Sequence, residues 1–341
     1  MTGLLAASGS NGEVWWISLI KAVIVINLVL FGFAYLTLIE RKLMGRMQLR
    51  YGPNRVGPYG LLQPIADLVK LIRKESILPE GISPVLYIAA PAVSLFASLA
   101  VFAVIPFGEE ATIPGTDWKI FLFISDPSVA LLVVFALGSL SFYGFLVGGW
   151  SSSSKYSLYG SMRAVSQLIS YEVSLALAVI GVVMMAQSLS LTGIAEAQSR
   201  DGLWYVLPQF LGFLVYVVAS TAEVSRIPFD LPEAEGELVA GHHTEYGGMR
   251  FAMFQNAEYV ALIAFSAVAS ILFLGGYEGP WLPGPVWMLI KMAFFILIAM
   301  WVRATLPRIR YDKLMSIGWK VLLPAATLNL LVTSAFVAWR A

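Results

Sequence analysis

Cysteine is absent from the chain, which excludes disulfides, thiolate metal sites and iron–sulfur clusters held by its own residues. Histidine is almost absent: His242 and His243 stand alone and adjacent, too few for a haem or zinc site of ordinary type. Charge is scarce as well. Charged residues make up 13% of the chain, against about a quarter in soluble domains. Apolar residues fill the gap, at 58% of 341 positions with a mean hydropathy of +0.78. A soluble globule of this size has no interior large enough to hide that surface, so lipid is part of the solvent. A formal net charge of +1 gives no sign of a nucleic-acid partner. No cleavable signal is expected, because the first apolar run begins near Val14 and is too long for a signal core.

Apolar runs of about 20 residues predict membrane helices. Eight are read, at roughly 14–39, 82–106, 127–148, 165–187, 203–222, 257–276, 286–306 and 319–339. The first and fourth are read as spans despite Lys21, Asn27 and Glu172 inside them. The predicted fold is an all-α integral membrane protein of one polytopic domain, residues 1–341. Lys and Arg set its orientation. The loops after the odd-numbered helices hold 15 of them and the opposite loops three. That places the former in the cytoplasm and both termini on the outer side.

Two inner loops, 40–81 and 223–256, are too long for plain connectors. In the first, 61-LLQPIADLVKLIRKE-75 places apolar residues at 61, 62, 65, 68, 69 and 72, which is helical spacing with charge on the other face. That pattern reads as an amphipathic interfacial helix or as a positive-inside anchor only. Ahead of it, 40-ERKLMGRMQLRYGPNRVGPYGLLQP-64 carries Arg41, Arg46, Arg50 and Arg55, with three glycines and three prolines from Gly52 onward. These residues impose special backbone angles, so the loop is expected to be shaped.

The second long loop, 226-RIPFDLPEAEGELVAGHHTEYGGMRF-251, is acidic. Glu223, Asp230, Glu233, Glu235, Glu237, Glu245 and Glu258 are seven of the chain's 21 carboxylates and fall within 36 residues. Glu233, Glu235 and Glu237 face one way if the segment is extended; 233 and 237 stack if it is helical. Like charges this close cannot all ionise in a dry place, so pKa values must rise or water and cations must be present. The apolar residues interspersed, among them Phe229, Leu231 and Leu238, argue against a merely solvated loop. A third segment, 150-WSSSSKYSLYGSMRAVSQLISYEVSLAL-177, puts Arg163, Gln167 and residues 170–171 near one helix face. Glu172 lies about two turns inside the span. A carboxylate there marks a functional site by default, with a structural ion pair as the alternative. Titratable groups running from a loop into the membrane suit a proton path. No residue spacing matches a metal site.

These motifs resemble one family over nearly the whole chain and in the same order. ERKLMGRMQLRYGPNRVGPYGLLQPIADLVKL, the SKY-to-SYE segment, RIPFDLPEAEGELVAGHHTEYGGMRFAMFQNAEY and WVRATLPRIRYDKLM are similar to the H subunit of bacterial respiratory complex I, the counterpart of mitochondrial NADH dehydrogenase subunit 1. The resemblance implies eight spans and a place where the redox arm meets the membrane arm. It implies a protein that shapes the tunnel for quinone, expected to be ubiquinone, and that starts a polar path toward antiporter-like subunits. FMN and iron–sulfur clusters are then expected only in partner subunits, and the location in the bacterial inner membrane with periplasmic termini. By motif position, Arg41, Arg50, Asp67 and Arg303 are expected at the quinone tunnel. Glu172, Glu223, Asp230, Glu233, Glu235, Glu237 and Glu258 are expected in proton coupling. Arg46, Arg55, Arg226 and Glu245 are expected to face the redox arm. Val224-Ser225 and Ser153 depart from the Thr-Asn and Asn expected there, while Lys155, Tyr156, Glu223 and Arg226 are kept. The alternatives are the membrane anchor of a related energy-converting hydrogenase and a free-standing secondary ion transporter.

Overall fold

In the computed structural model, residues 15–108, 110–112, 119–233 and 235–340 are described. The elements are α1 (Trp15–Met47), α2 (Gln63–Arg73), α3 (Pro84–Ala100), strands β1 (Glu110–Thr112) and β2 (Lys119–Phe121), α4 (Ala130–Ser151), α5 (Lys155–Ala186), α6 (Leu191–Asp201), α7 (Phe210–Glu223), α8 (Glu235–Leu238), α9 (Gly248–Leu274), α10 (Gly284–Thr305), α11 (Tyr311–Ile317) and α12 (Leu323–Arg340). Apart from the small antiparallel hairpin, in which Ala111 faces Ile120, this is an all-α integral membrane protein.

Among the described residues, seven helices are long and apolar enough to cross a membrane. The expected span at 203–222 differs. Only Phe210–Glu223 is helical, and its 14 residues reach about 21 Å, short of the ~30 Å hydrocarbon core. The reason lies ahead of it. Pro208 has no N–H to continue a helix inward, and the backbone is held by tertiary bonds instead. Tyr205 N–H donates to Gln198 Oε1 at 3.1 Å and Val206 N–H to the Phe273 carbonyl at 2.9 Å.

Several helices run past their apolar cores. α1 continues through Glu40 to Met47, α5 begins at Lys155 and α9 at Gly248. The polar motifs at those ends are therefore carried on rigid helix. The amphipathic segment is helical over Gln63–Arg73, and Ile65, Leu68, Val69 and Ile72 are all exposed. That leaves an apolar stripe without a covering partner among the described residues.

α9 is the most buried of the long helices, and α1 and α12 lie at the periphery. The outer face of α1 exposes Leu19, Ile20, Val23, Ile24, Leu28 and Phe31, as a lipid-facing surface should. Between helices, small residues permit close approach, the usual means where lipid removes any hydrophobic drive to associate. A Cβ at Gly144 would meet Ser94 Oγ at 2.0 Å. Beside it Ser94 Oγ donates to the Ser141 carbonyl at 2.9 Å and ties α3 to α4. Lys291, buried on α10, donates to the carbonyls of Leu274, Gly276 and Glu278 at 2.6–2.7 Å. The first is an acceptor left over where α9 ends and the other two lie in the turn that follows, and one buried cation satisfies all three.

Candidate functional site

The acidic loop is docked on α5 rather than solvated. Gly160 permits this, because a Cβ there would lie 2.7 Å from His242 N. Ser157 Oγ donates to the His242 carbonyl at 2.7 Å. One helical face of α5 then repeats the theme. Arg163 donates to Glu237 at 2.5 Å, Gln167 Nε2 donates to the Ala222 and Phe229 carbonyls at 2.6 and 2.8 Å, and Tyr171 OH donates to the Leu314 carbonyl at 2.9 Å. Within the loop, Gly241 has φ +58° and a Cβ would sit 1.6 Å from the Pro232 carbonyl oxygen. Only glycine fits both constraints.

The three alternating glutamates part company. Glu233 lies 4.0 Å from His243 Nδ1, and Glu237 goes to Arg163. Glu235 opens α8, and its side chain is outside the described residues. Asp230, with a side chain 10% exposed, accepts from Arg308 Nη2 at 2.8 Å. Ile309 N–H donates to the Pro228 carbonyl at 3.0 Å, which pins the loop to the segment after α10.

A second cluster joins α1, α9, α10 and the loop. Arg303 is ion-paired with Glu40, whose other oxygen accepts from Tyr259 OH at 2.8 Å. The Arg226 guanidinium lies 3.8 Å from the centroid of the Tyr259 ring, close enough for a cation–π contact. Motif position predicts Arg226 on the surface facing the redox arm; instead it is 9% exposed and belongs to this buried cluster. Burial opposes its charge, but Tyr259, Glu258 and Glu40 outweigh that and hold its pKa above the ordinary value. Glu258 feels Glu233, Arg226, Asp230 and Arg303 electrostatically, so it connects the two clusters.

Elsewhere on α1, Arg41 Nη1 donates to Asp67 Oδ2 at 2.7 Å and Gln63 Nε2 to Asp67 Oδ1 at 2.9 Å. This binds α1 to α2 and brings two expected tunnel residues together. Arg50 Nε donates to its neighbour Gln48, and Arg46 and Arg55 are exposed. Deeper in the membrane, Ser139 Oγ donates to Glu172 Oε1 at 2.5 Å. Glu223 is 1% exposed, interacts with Glu172, and its Oε2 has no hydrogen-bond partner among the described residues.

The two histidines form the floor of the loop. Burial holds His243 down to about 4, and burial followed by the neighbouring His243 holds His242 well below the usual imidazole range. Tyr246 stacks on Tyr87 with centroids 4.2 Å apart, and burial raises its phenol to about 12. Tyr87 OH donates to the Glu245 carbonyl at 2.7 Å, so Glu245 serves the packing of the loop through its backbone.

Glu40, Tyr259, Ser139 and Arg308 are the partners that sequence reasoning did not place at the site. Glu40 could be noticed as the acid opening a basic motif. Nothing local marks Tyr259 or Ser139, since each sits in an apolar run.

A sequence model of the NADH dehydrogenase family matches residues 20–334. An NADH-quinone oxidoreductase H subunit of Syntrophobacter fumaroxidans is 52% identical over 319 residues, covering 94% of this chain and 95% of its own. The NADH-quinone oxidoreductase H subunit of Syntrophotalea carbinolica is 51% identical over 321 residues, covering 94% and 96%. The Deinococcus radiodurans protein of the same description is 46% identical over 335 residues, covering 95% of this chain and 83% of its own.

Proposed function

The chain belongs to the NADH dehydrogenase family, and from that premise we propose that it shapes the membrane-side access route for quinone and couples quinone reduction to proton movement. It is a membrane subunit of a multi-subunit NADH-quinone oxidoreductase, and other subunits of that complex are its partners. With no cysteine of its own, the chain leaves iron–sulfur chemistry to those partners, and FMN is assigned to them as well. α7, extended by the segment tethered at Tyr205 and Val206, makes the eighth crossing, with both termini on the periplasmic side of the inner membrane.

The observation that carries this reading is the Arg303–Glu40–Tyr259–Arg226 cluster beside Glu258. It joins the helices expected to bound the tunnel (α1, α9 and α10) to the acidic loop. Quinone reduction to quinol takes up two electrons and two protons, so the quinone itself stays neutral and the groups that supply the protons change charge with each turnover. A buried network of paired ions in low dielectric responds strongly to such a change. Glu258, set among two acids and two arginines, is placed to exchange a proton as that balance shifts, and Glu172 with Glu223 extends the titratable chain inward. Arg41 and Asp67 hold the amphipathic α2 against α1 at the expected mouth.

The test is Glu235→Gln in the assembled complex. Assembly should be intact and NADH:quinone reductase activity depressed; normal coupled turnover sinks the role given to the acidic loop. Copurification with iron–sulfur subunits separates this reading from a free-standing transporter, and inhibition by quinone-site blockers separates it from a hydrogenase anchor.

A further inference from the structure

His242 is 1% exposed, and neither ring nitrogen has a hydrogen-bond partner among the described residues. Its neighbours are rings: Phe145 and Phe254 stand edge-on with centroids at 4.8 and 5.4 Å, and His243 at 4.8 Å. A neutral imidazole always presents one donor and one acceptor. Leaving both unsatisfied in a buried position is a heavy penalty, and buried polar groups in folded proteins are nearly always paired.

A chamber adjoins this imidazole. It lies between α3, α4, α5 and α9 with a cavity volume of about 30 Å³, room for about two water molecules, and among the described residues His242 and Glu258 are the titratable side chains in its wall. The sequence makes the space by omission. Ala257, Ala261 and Ala264 follow one face of α9, opposite Gly138 of α4 and Ala164 of α5, and none fills it. At its inner reach, a Cβ on Gly138 would lie 3.4 Å from Glu223 Oε1. Two effects compete over what occupies the chamber. Apolar walls favour a dry cavity, whereas polar groups with unmet hydrogen bonds recruit water. The unmet demand here is both His242 nitrogens, and the Glu258 carboxyl lines the same chamber.

We propose that His242 anchors ordered water in this chamber and that the water links it to the Glu258 carboxyl, which makes His242 a positioning residue for proton exchange at Glu258. The inference rests on the quinone-coupled reading above. The imidazole donates through one nitrogen and accepts through the other, so it fixes the orientation of the water at the loop end. Burial keeps the ring neutral, and a neutral ring retains both functions.

Two experiments test it in the intact complex. A high-resolution cryo-electron microscopy map of the wild-type complex should show water within hydrogen-bond distance of a His242 nitrogen and continuing toward Glu258. A dry chamber, or one filled by continuous apolar density, overturns the proposal. The second uses His242→Phe and His242→Gln. The Phe variant keeps the ring volume and removes both nitrogens; the Gln variant keeps a donor and an acceptor. Proton translocation coupled to NADH oxidation should fall about tenfold in His242→Phe, the weight of one lost hydrogen bond in a barrier, and recover in His242→Gln. Equal rates in both variants, whether normal or impaired, overturn it, since that pattern reports shape alone. If His242→Phe does not assemble, the map decides. Should the wild-type complex show no NADH:quinone activity at all, the quinone reading fails first, independently of the water.

Discussion

Glu40 and Arg303 are ion-paired across 263 residues of sequence, joining the inner ends of α1 and α10. Glu40 is 8% exposed in its side chain and Arg303 32%. Glu40→Ala should lower the thermal midpoint of the assembled complex, by about 2 kcal/mol of stability. Removing one partner of a fully buried pair costs roughly 3–5 kcal/mol, and solvent reaching a third of Arg303 reduces that. Glu40→Gln, which still accepts from Tyr259, should lose about half as much. A midpoint unchanged by Glu40→Ala would show that the pair contributes nothing.

Gly241 is expected to tolerate no side chain. Alanine there meets the Pro232 carbonyl oxygen at 1.6 Å on a backbone with φ +58°. Gly241→Ala should loosen residues 232–245 and cost more than about 1 kcal/mol. Hydrogen exchange of that segment in the complex measures it. Wild-type protection in the variant contradicts the close approach.

His243 sets a pH dependence with a definite sign. Its folded pKa, about 4, lies below the ordinary 6.5 because burial disfavours the charged ring. Between those values the unfolded loop binds more protons than the folded one. The docked loop is therefore at full stability above pH 6.5, and stability declines as pH falls through the window toward 4. Hydrogen exchange of the loop measured from pH 7.5 to 4 should show this decline, and His243→Phe should flatten the part that His243 contributes. An identical decline in the variant assigns it elsewhere.

Lys291 is predicted to be structural. Its ammonium satisfies three carbonyls at the end of α9, each a charge-assisted bond worth about 1.5–3 kcal/mol. Lys291→Met keeps the stem and removes the donors. The α9 C-terminus should then exchange amide hydrogens faster, and the yield of assembled complex should drop. Unchanged exchange at residues 270–278 would falsify the capping role.

Much of the fold was legible because lipid admits only helices and closed barrels, and apolar runs of about 20 residues are helix length. The apolar runs follow from that, as does the helix at Gln63–Arg73. The run at 203–222 is the exception. It has the composition of a span, yet its first residues take their hydrogen bonds from Gln198 and Phe273, and no local pattern reveals partners that distant. The acidic cluster was visible as composition, and so was the α5 face of Arg163, Gln167 and Tyr171 as spacing. Which acid meets which partner was not. Glu233 and Glu237 read as one stripe and went to the neutral imidazole of His243 and to Arg163.

By itself, then, the sequence determined where the chain is apolar enough to be lipid-solvated, which loops are elaborate, and where carboxylates crowd. Those properties depend on composition and on periods of a few residues. The tertiary structure alone decided that Glu40 pairs with Arg303, that Arg226 is buried against Tyr259, and that His242 faces a chamber shared with Glu258. Each of these depends on helices far apart in sequence meeting at one depth. Packing of small residues sets that depth, and a carboxylate's surroundings, rather than its presence, determine what it can do.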